Sequence, residues 1–147
     1  MTVLLIDDDI DDTLLFKKVL SDINPSVSFL SASNGKEALD FLQPAENRKP
    51  DLIFLDLNMP KMNGKECLSI IKKDQTLSSI PVIIYTTSSL PKDKEETMKS
   101  GAICFVTKPS SITDLKQILA VVSKAFPDNI QEALMQLSKA GNSYVAC

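Results

Sequence analysis

The stretch DLIFLDLNMPKMNG, residues 51–64, decides the fold class of this chain. Residues 51–57 form an almost unbroken apolar run, which is typical of a strand that is covered on both faces at the centre of a parallel sheet. Residues 58–64 are rich in asparagine, methionine and glycine and predict a loop that leaves this strand. Asp56 stands where the strand passes into the loop, so a carboxylate is expected at one edge of the sheet.

On either side of this segment, short apolar runs alternate with stretches of helical periodicity. The further apolar runs are residues 3–6, 27–32, 81–87 and 102–107, and the helical stretches are residues 10–20, 35–42, about 67–71, 90–101 and 110–126. Strands that alternate with helices predict parallel βαβ units with right-handed crossovers. We therefore expect a doubly wound α/β domain of the flavodoxin-like (βα)5 type, a three-layer sandwich around a five-stranded parallel sheet.

The predicted helices differ in how much apolar surface they offer to the sheet. The first has an apolar stripe at Ile10, Leu14, Leu15 and Val19, and the last has one at Ile112, Leu115, Leu119, Val122 and Phe126. The helix at residues 90–101 has little more than Leu90 and Met98. Because it offers so little apolar surface, we expect this helix to be held loosely.

The carboxyl ends of the predicted strands carry polar side chains, and ligands of such sheets bind there. These side chains are Asp7, Asp8 and Asp9, then Asp56, then Thr86, Thr87 and Ser88, and finally Thr107 and Lys108. Carboxylates are the ligands that Mg²⁺ takes from proteins, and hydroxyl and ammonium groups bind phosphate oxygens. The pattern predicts a site for a phosphoryl group beside a hard divalent cation.

Asp7, Asp8 and Asp56 are expected to crowd together at this edge of the sheet. Two unit negative charges about 4 Å apart repel by roughly 4 kcal/mol at a surface-like dielectric constant, so the cluster needs compensating charge. Lys108 offsets one charge, and a divalent cation would offset two more. The alternative is a solvated acidic entry into the first helix, with Asp56 only capping its strand, which requires three strands to bring these groups together by coincidence.

The 147 residues include 16 basic and 19 acidic side chains, giving a net charge of −3, and no histidine. The length fits one domain, and the negative charge disfavours nucleic acid as a direct partner. No apolar run approaches the roughly 20 residues that span a bilayer, and the first residues lack the pattern of a signal peptide. We therefore expect a cytoplasmic protein that binds neither DNA nor a membrane.

The three cysteines, Cys67, Cys104 and Cys147, show no metal-ligand spacing. An odd number of cysteines in a protein expected in the cytoplasm indicates reduced thiols. We expect Cys67 and Cys104 to be small buried residues. The pattern leaves the reactivity of Cys147 open.

Four segments, LLIDDD, DLIFLDLNMPKMNG, PVIIYTT and FVTKP, together resemble the receiver domains of two-component response regulators, the CheY-like family. The spacings agree with that family, since 30 residues separate positions 56 and 86 and 22 separate positions 86 and 108. The resemblance covers about residues 2–126, and we assign residues 1–126 to the receiver domain. It implies a stand-alone receiver that takes a phosphoryl group from a sensor histidine kinase or a phosphotransfer protein, then binds a partner or passes the group onward.

The resemblance implies a role for each acidic residue at the strand ends. Asp56 would accept the phosphoryl group as a carboxylate nucleophile. Asp8 and Asp56 would bind Mg²⁺, or Mn²⁺ in its place, together with the backbone carbonyl of Asn58. Asp7 would act on the metal through a coordinated water.

The resemblance also implies a conformational switch. Thr86 and Lys108 would bind the phosphoryl oxygens, and Thr86 would move toward them on phosphorylation. Phe105 holds the position of the family's switch aromatic and would move into the vacated space. The face formed by residues 91–126 would present this change to an output protein.

A signalling receiver would catalyse only its own phosphorylation and dephosphorylation, so we do not expect an enzyme with a separate substrate. Two other functions are alternatives to a signalling receiver. The first is a Mg²⁺-dependent phosphatase with an aspartyl-phosphate intermediate. Such enzymes usually carry a second carboxylate two residues after the nucleophile, where this chain has Asn58, whose amide cannot supply a proton. The second is a receiver-like binding module that is never phosphorylated, against which the complete set of site residues argues. Without histidine, the phosphoryl group must come from another molecule.

Residues 127–147 extend beyond the region of resemblance. Apolar residues at Ile130, Ala133, Leu134 and Leu137 predict a short amphipathic helix followed by a tail that is too short for a DNA-binding effector domain. We expect the helix to pack on its own domain, and the alternative is a contact between two copies in a homodimer. The loop at residues 43–50 resembles that of receivers that pair with phytochrome-type kinases.

Overall fold

The computed structural model describes residues 1–147 and places one sheet between two layers of helices. The strands are β1 (Thr2–Ile6), β2 (Ser28–Ala32), β3 (Leu52–Leu55), β4 (Val82–Thr86), β5 (Cys104–Thr107) and β6 (Val145–Ala146). The helices are α1 (Ile10–Ile23), α2 (Gly35–Leu42), α3 (Gly64–Lys73), α4 (Pro91–Lys99), α5 (Ile112–Ala125) and α6 (Ile130–Lys139). Helices α1, α5 and α6 cover one face of the sheet, and α2, α3 and α4 cover the other.

The strand order is β2-β1-β3-β4-β5-β6, and the first five strands in this order run parallel. This confirms the doubly wound, three-layer α/β fold expected from the sequence. The expectation of five strands was wrong, because β6 adds a sixth strand antiparallel to the outer edge of β5. The two residues of β6 are too few to show the alternation that indicates a strand.

The centre of the sheet joins the two helical layers through β3. All four residues of β3 are buried, and their side chains alternate between the layers, so that Phe54 faces α1 and Ile53 faces α2 and α3. The ring of Phe16 from α1 lies edge-on, 4.9 Å from the ring of Phe54 and 5.4 Å from that of Tyr85. Full burial of such a side chain contributes about 1.5–3 kcal/mol, so this aromatic contact holds α1 on the sheet.

The side of α1 that packs on the sheet differs from the predicted stripe. Ile10 and Leu14 are 74% and 59% exposed, whereas Phe16, Val19 and Leu20 are buried. The prediction was wrong in the first turn, which faces solvent at the carboxyl edge of the sheet. Phe16, which the predicted stripe omitted, is the largest side chain of the helix and sets the packed side.

Helices α5 and α4 differ in how many of their side chains are buried against the rest of the protein. Helix α5 packs through Leu115, Ile118, Leu119 and Val122. Ile112, the first residue of α5, is 60% exposed, so the predicted stripe begins one turn too early. Helix α4 is lightly held as expected, because Thr97 is its one buried residue and Leu90 just before it is 62% exposed. No helix combines the length and the apolar character that crossing a membrane requires.

Helix α6 lies against α5 and belongs to the same hydrophobic cluster. Its Ile130 and Leu134 are buried, and Leu137 is partly buried, which confirms the helix and the apolar side expected from the sequence. Gln131 ties the start of α6 to the sheet by donating from its Nε2 to the carbonyl oxygen of Ile103 at 3.0 Å. The apolar side of α6 is therefore used within the chain.

The cysteines depart from the expectation of reduced thiols, because Cys104 and Cys147 form a disulfide. The register of β5 with β6 pairs Phe105 with Ala146, which places the two cysteines directly opposite one another. Their 43-residue separation in sequence carries no sign of this pairing, since the pairing depends on the sixth strand. Cys67 remains a free thiol, and burial raises its pKa to about 12.

Gly64 opens α3 at the point where the backbone comes closest to Asp56. A Cβ atom on Gly64 would lie 2.1 Å from the carbonyl oxygen of Asp56 and 2.7 Å from the Cα of Leu57. These are backbone atoms, so they cannot turn aside as a side chain can. The amide of Gly64 also donates to the carbonyl oxygen of Leu57 at 2.9 Å, which closes the loop around Asp56.

We expect Gly64→Ala to lower the free energy of unfolding by about 3 kcal/mol or more, because the new methyl group overlaps fixed backbone. Gly35→Ala is the matched control, since Gly35 is also the first residue of a helix but its nearest neighbour is the flexible side chain of Met62 at 3.0 Å. The control should lose less than about 1 kcal/mol. Urea unfolding measures both values, and equal losses would contradict the close approach.

Candidate functional site

The candidate site lies at the carboxyl edge of the sheet, where Asp7 follows β1, Asp56 follows β3 and Lys108 follows β5. Two backbone hydrogen bonds join these strand ends. The amide of Asp56 donates to the carbonyl oxygen of Ile6 at 2.9 Å, and the amide of Lys108 donates to that of Thr86 at 2.7 Å. The parallel pairing thus brings together the side chains that the sequence had placed at separate strand ends.

An open cavity of about 620 Å³ marks the site. It is lined by acidic residues of the first strand end and of α1, and by Asp56, Asn58, Thr87 and Lys108. Eight of the nine lining residues are polar or charged, so the cavity suits a small hydrophilic group rather than an apolar ligand. Asp8, Asn58 and Thr87 are exposed at its rim, while Asp56 is 6% exposed at its floor.

Three carboxylates in the cavity are close enough to share one ion. Ligand oxygens of Asp7, Asp8 and Asp56 all lie within 4.8 Å of one another. Burial raises the pKa of Asp7 to about 6, with the negative charge of Asp56 adding to this effect and Lys108 opposing it. The buried Oδ2 of Asp7 lies 2.7 Å from the Nζ of Lys108 but has no hydrogen-bond partner. This acidic cluster fits a divalent metal ion, whose ligands of choice are such oxygens.

Lys108 supplies the one positive charge at the centre of the cluster. Its Nζ lies 2.7 Å from Asp7 Oδ2, 2.8 Å from Asp12 Oδ2 and 3.6 Å from Asp56 Oδ2, and its side chain is only 8% exposed. Burial alone would lower the pKa of the ammonium group, but the surrounding carboxylates of Asp12, Asp7 and Asp56 together outweigh burial and raise the pKa. The Nζ also lies 5.5 Å from the centre of the Tyr85 ring. Lys108 therefore stays charged at any physiological pH.

Asp12 is the residue of the site that the sequence reasoning missed. It stands in the first turn of α1, where a negative charge suits the helix dipole. The same turn faces the cavity and brings Asp12 to Lys108. The signal was present in the strand-end rule, since a helix that follows a strand end starts beside the ligand site.

Asp56 is held in place by the loop that follows it. Its Oδ1 accepts a hydrogen bond from the amide of Leu57 at 2.7 Å and a longer one from that of Asn58 at 3.4 Å. Its Oδ2 faces Lys108. Lys61, in the same loop, has a φ of 66°, in the left-handed region, which turns the chain back toward α3. One carboxylate oxygen is thus anchored and the other is left toward the cavity.

Thr86 and Phe105 both lie inside the protein. Thr86 ends β4 with no exposed surface, and its Oγ1 accepts only a long hydrogen bond, 3.4 Å, from the amide of Ser88. Phe105 is also fully buried, on the side of the sheet that α2, α3 and α4 cover. Thr87, rather than Thr86, lines the cavity. The exchange of Thr86 and Phe105 on phosphorylation stays a prediction, and it cannot begin from an exposed aromatic ring.

The arrangement combines a carboxylate with a free oxygen, a fixed ammonium group and a cluster of acidic ligands. A carboxylate so placed can attack phosphorus, while positive charge offsets the negative oxygens of the group being transferred. Asn58 stands two residues after Asp56 and offers an amide where a general acid would be needed for a phosphatase. The chemistry supported here is the making of an acyl phosphate.

Comparison with known proteins places the chain in a family. The family model of the response regulator receiver domain matches residues 3–120, so the chain belongs to this family. It is 35% identical over 117 residues to response regulator Rcp1 of Synechocystis sp., covering 77% of this chain and 80% of that protein. It is 31% identical over 105 residues to the response regulator DivK of Brucella anthropi, covering 70% of this chain and 83% of that protein.

Two solved structures extend the similarity to three dimensions. The phosphorylated cyanobacterial phytochrome response regulator RcpA matches with a TM-score of 0.78 and 31% identity, over 84% of this chain and 91% of that one. The Mn²⁺-bound form of Rcp1 matches with a TM-score of 0.76 and 31% identity over the same shares of the two chains. The chain is thus a receiver of the CheY-like kind, a class that serves phosphorylation-dependent signalling in two-component systems and is not an enzyme in the main sense.

We expect a divalent metal ion to stabilise the protein by relieving the repulsion among the three carboxylates. At ten times its Kd, a ligand of the native state adds about 1.4 kcal/mol. For a domain of this size, that raises the Tm by about 3–6 °C. Thermal melts with increasing Mg²⁺ or Mn²⁺ at constant ionic strength measure the shift.

Asp8→Asn should abolish this shift, because Asp8 belongs to the trio. Asp11→Asn is the matched control, since it removes the same charge from the same acidic run but lies outside the trio. The control should keep most of the shift. A shift that survives Asp8→Asn and matches the control would contradict a metal site at this cluster.

Proposed function

We propose that the protein accepts a phosphoryl group on Asp56 in a Mg²⁺-dependent step and signals through the phosphorylated form. The single observation that carries this proposal is the meeting of Asp56 with Lys108, 3.6 Å away, inside a cluster of acidic oxygens within 4.8 Å of one another. An Asp56 that only capped its strand, or an acidic helix start exposed to water, would not explain why Asp56 lies so close to Lys108. The family to which the chain belongs supports the same reaction.

The residues divide the work of binding and transfer. Asp8, Asp56 and the backbone carbonyl of Asn58 would hold Mg²⁺, with Asp7 acting through a water, and Mn²⁺ would fit the same oxygens. The ion, when bound, supplies positive charge against the phosphoryl oxygens. The similar protein Rcp1 has a solved Mn²⁺-bound form, which supports a divalent metal here.

The transfer step needs only the groups of this site and a phosphohistidine donor. An oxygen of Asp56 attacks phosphorus, the bond between phosphorus and the donor nitrogen breaks, and its electron pair returns to the donor's imidazole. Lys108 and the hydroxyl of Thr86 bind oxygens of the transferred group. The hydroxyl of Thr86 is suited to this because the amide of Ser88 is its one hydrogen-bond partner and takes none of its donor capacity.

None of the 147 residues is a histidine, so this domain does not itself supply a phosphohistidine donor. We propose a sensor histidine kinase or a phosphotransfer protein in the cytoplasm, and no binding to DNA or membrane, in keeping with the net charge of −3. Water would later hydrolyse the acyl phosphate. Because Asn58 offers no acid or base beside it, we propose that this self-catalysed loss is slow compared with that of a phosphatase.

The output is proposed to pass through the face formed by residues 91–126. Helix α4 buries only Thr97 and is otherwise joined to α3 by ion pairs of Lys65 with Asp93 and Glu96, so it can move without disrupting the core. Strand β6 covers the edge of β5 here, so an output protein would also meet residues 144–147. A homodimer through α6 is the alternative use of the extension, although the apolar side of α6 is already packed against α5.

We expect incubation with a small acyl phosphate and Mg²⁺ to add one hydroxylamine-sensitive phosphoryl group to the intact protein, as measured by mass spectrometry. Asp56→Asn should abolish the label, because an amide is not a nucleophile here. Asp40→Asn, at an exposed aspartate paired only with Lys36, is the control and should label normally. Labelling that persists in Asp56→Asn would assign the acceptor elsewhere.

A further inference from the structure

The ammonium group of Lys108 lies among three carboxylates, but it donates a hydrogen bond to only one of them. Its Nζ donates to Asp12 Oδ2 at 2.8 Å. The contact with Asp7 Oδ2 at 2.7 Å is an ion pair without hydrogen-bond geometry, and Asp56 Oδ2 lies 3.6 Å away. The hydrogen bond to Asp12 is therefore the one that orients the ammonium group.

We propose that Asp12 is a positioning residue for phosphoryl transfer, which rests on the proposed function of Asp56. By holding Lys108 from the α1 side, Asp12 keeps the ammonium group from closing on Asp56. The oxygen of Asp56 stays free to attack, and Lys108 stays beside the space that a phosphoryl oxygen would enter. Asp7 alone cannot do this, because its contact with Lys108 lacks hydrogen-bond geometry and so does not orient the N–H groups.

The position of Asp12 is itself fixed by the start of α1. Asp9 caps the helix by accepting a hydrogen bond from the amide of Asp12 at 2.9 Å. The side chain of Asp12 is 36% exposed, against almost none for Asp7, so Asp12 carries its charge without the cost of full burial. An exposed carboxylate on a rigid helical turn is suited to guide a buried ammonium group.

The test measures single-turnover labelling of Asp56 by a small acyl phosphate at saturating Mg²⁺. The oxygen of Asp56 bonds to phosphorus, and the bond between phosphorus and the donor's acyl oxygen breaks, leaving the donor as a carboxylate. Asp12→Ala should lower the maximal rate about tenfold or more, because the lysine then closes on the nucleophile. Asp12→Asn keeps an oxygen acceptor and should fall between the wild type and Asp12→Ala.

Asp11→Ala is the control, because it removes an equal charge from the neighbouring, exposed residue that does not contact Lys108. If only the loss of one negative charge mattered, both variants would change the donor concentration that gives the half-maximal rate, and by the same amount. The proposal requires a fall in maximal rate in Asp12→Ala alone. Equal effects in the two variants, or no effect of Asp12→Ala, would overturn it, whereas a wild type without label would overturn the proposed function itself.

A second inference rests on a different observation, the covalent bond that ties the extension to the sheet. Cys104 of β5 is fully buried, but Cys147, joined to it, is exposed. Strand β6 has only two residues, and the amide of Thr107 donates to the carbonyl oxygen of Tyr144 at 2.9 Å. The disulfide thus adds a covalent tie to a two-residue strand that is otherwise held by its pairing with β5 and by the buried Val145.

We infer that this disulfide is a reversible latch on the edge of β5, opened by a dithiol reductant. A thiolate of the reductant attacks the exposed sulfur of Cys147, the bond to Cys104 breaks, and Cys104 leaves as a thiolate that takes up a proton. The second thiol of the reductant then releases Cys147, so that the protein gains two thiols and the reductant a disulfide. Residues 142–147 come away from the sheet, and the edge beside Phe105 and Thr107 is opened.

Amide hydrogen exchange of the full chain tests the latch. Reduction with a dithiol should speed exchange at Thr107 about tenfold or more, because its partner Tyr144 leaves, while exchange in β3 should not change. Cys147→Ser should show the faster exchange without reductant. Cys67→Ser, at a buried free thiol, should still respond to the reductant like the wild type. Equal exchange at Thr107 in the oxidised and reduced protein would overturn the latch, as would two free thiols at these positions in air-oxidised protein.

Discussion

One ammonium group shared among buried carboxylates is the interaction on which this site depends. Asp7 and Asp56 are withdrawn from water, and Lys108 is the one cation that reaches both. Such a group of charges is stable only if each partner is in place, since a buried charge without a partner costs several kcal/mol. The carboxylates still exceed the positive charge, and this excess is what makes the cluster a place for a metal ion and a reactive anion rather than an inert ion pair.

The parallel sheet creates this arrangement at little cost to the core. Burial on both faces of β3 fixes Phe54 and Ile53 into opposite layers, and the next residues emerge together at the edge. The polar groups stand outside the packed layers, so their repulsion does not oppose the packing of the apolar ones. Gly64 lies against the backbone of Asp56 with no room for a Cβ atom, which is why a side chain there would disturb both fold and site.

Periodicity and strand-end chemistry sufficed to predict the five parallel strands and the meeting of Asp7, Asp8, Asp56 and Lys108. They failed where the outcome depended on one element meeting another. The packed side of α1 was decided by Phe16 against the sheet, and the disulfide by two residues of β6, neither of which has a local pattern. In the sequence, Asp12 is only an acidic residue at the start of a helix. Its contact with Lys108 exists only because α1 lies beside the cavity.

Strand β5 connects the site around Lys108 with the extension formed by residues 127–147, a connection that the sequence does not reveal. Its last residue, Thr107, stands next to Lys108, and its amide is bonded to the extension through Tyr144. Its Phe105 is paired with Ala146 of β6 and buried near α4. A movement of this strand that followed from a new anion at Lys108 would therefore reach the extension, and release of the extension would remove a partner from the strand that leads to Lys108. We expect the site and the extension to be coupled through this short strand, so that the chemical state of each would bias the other.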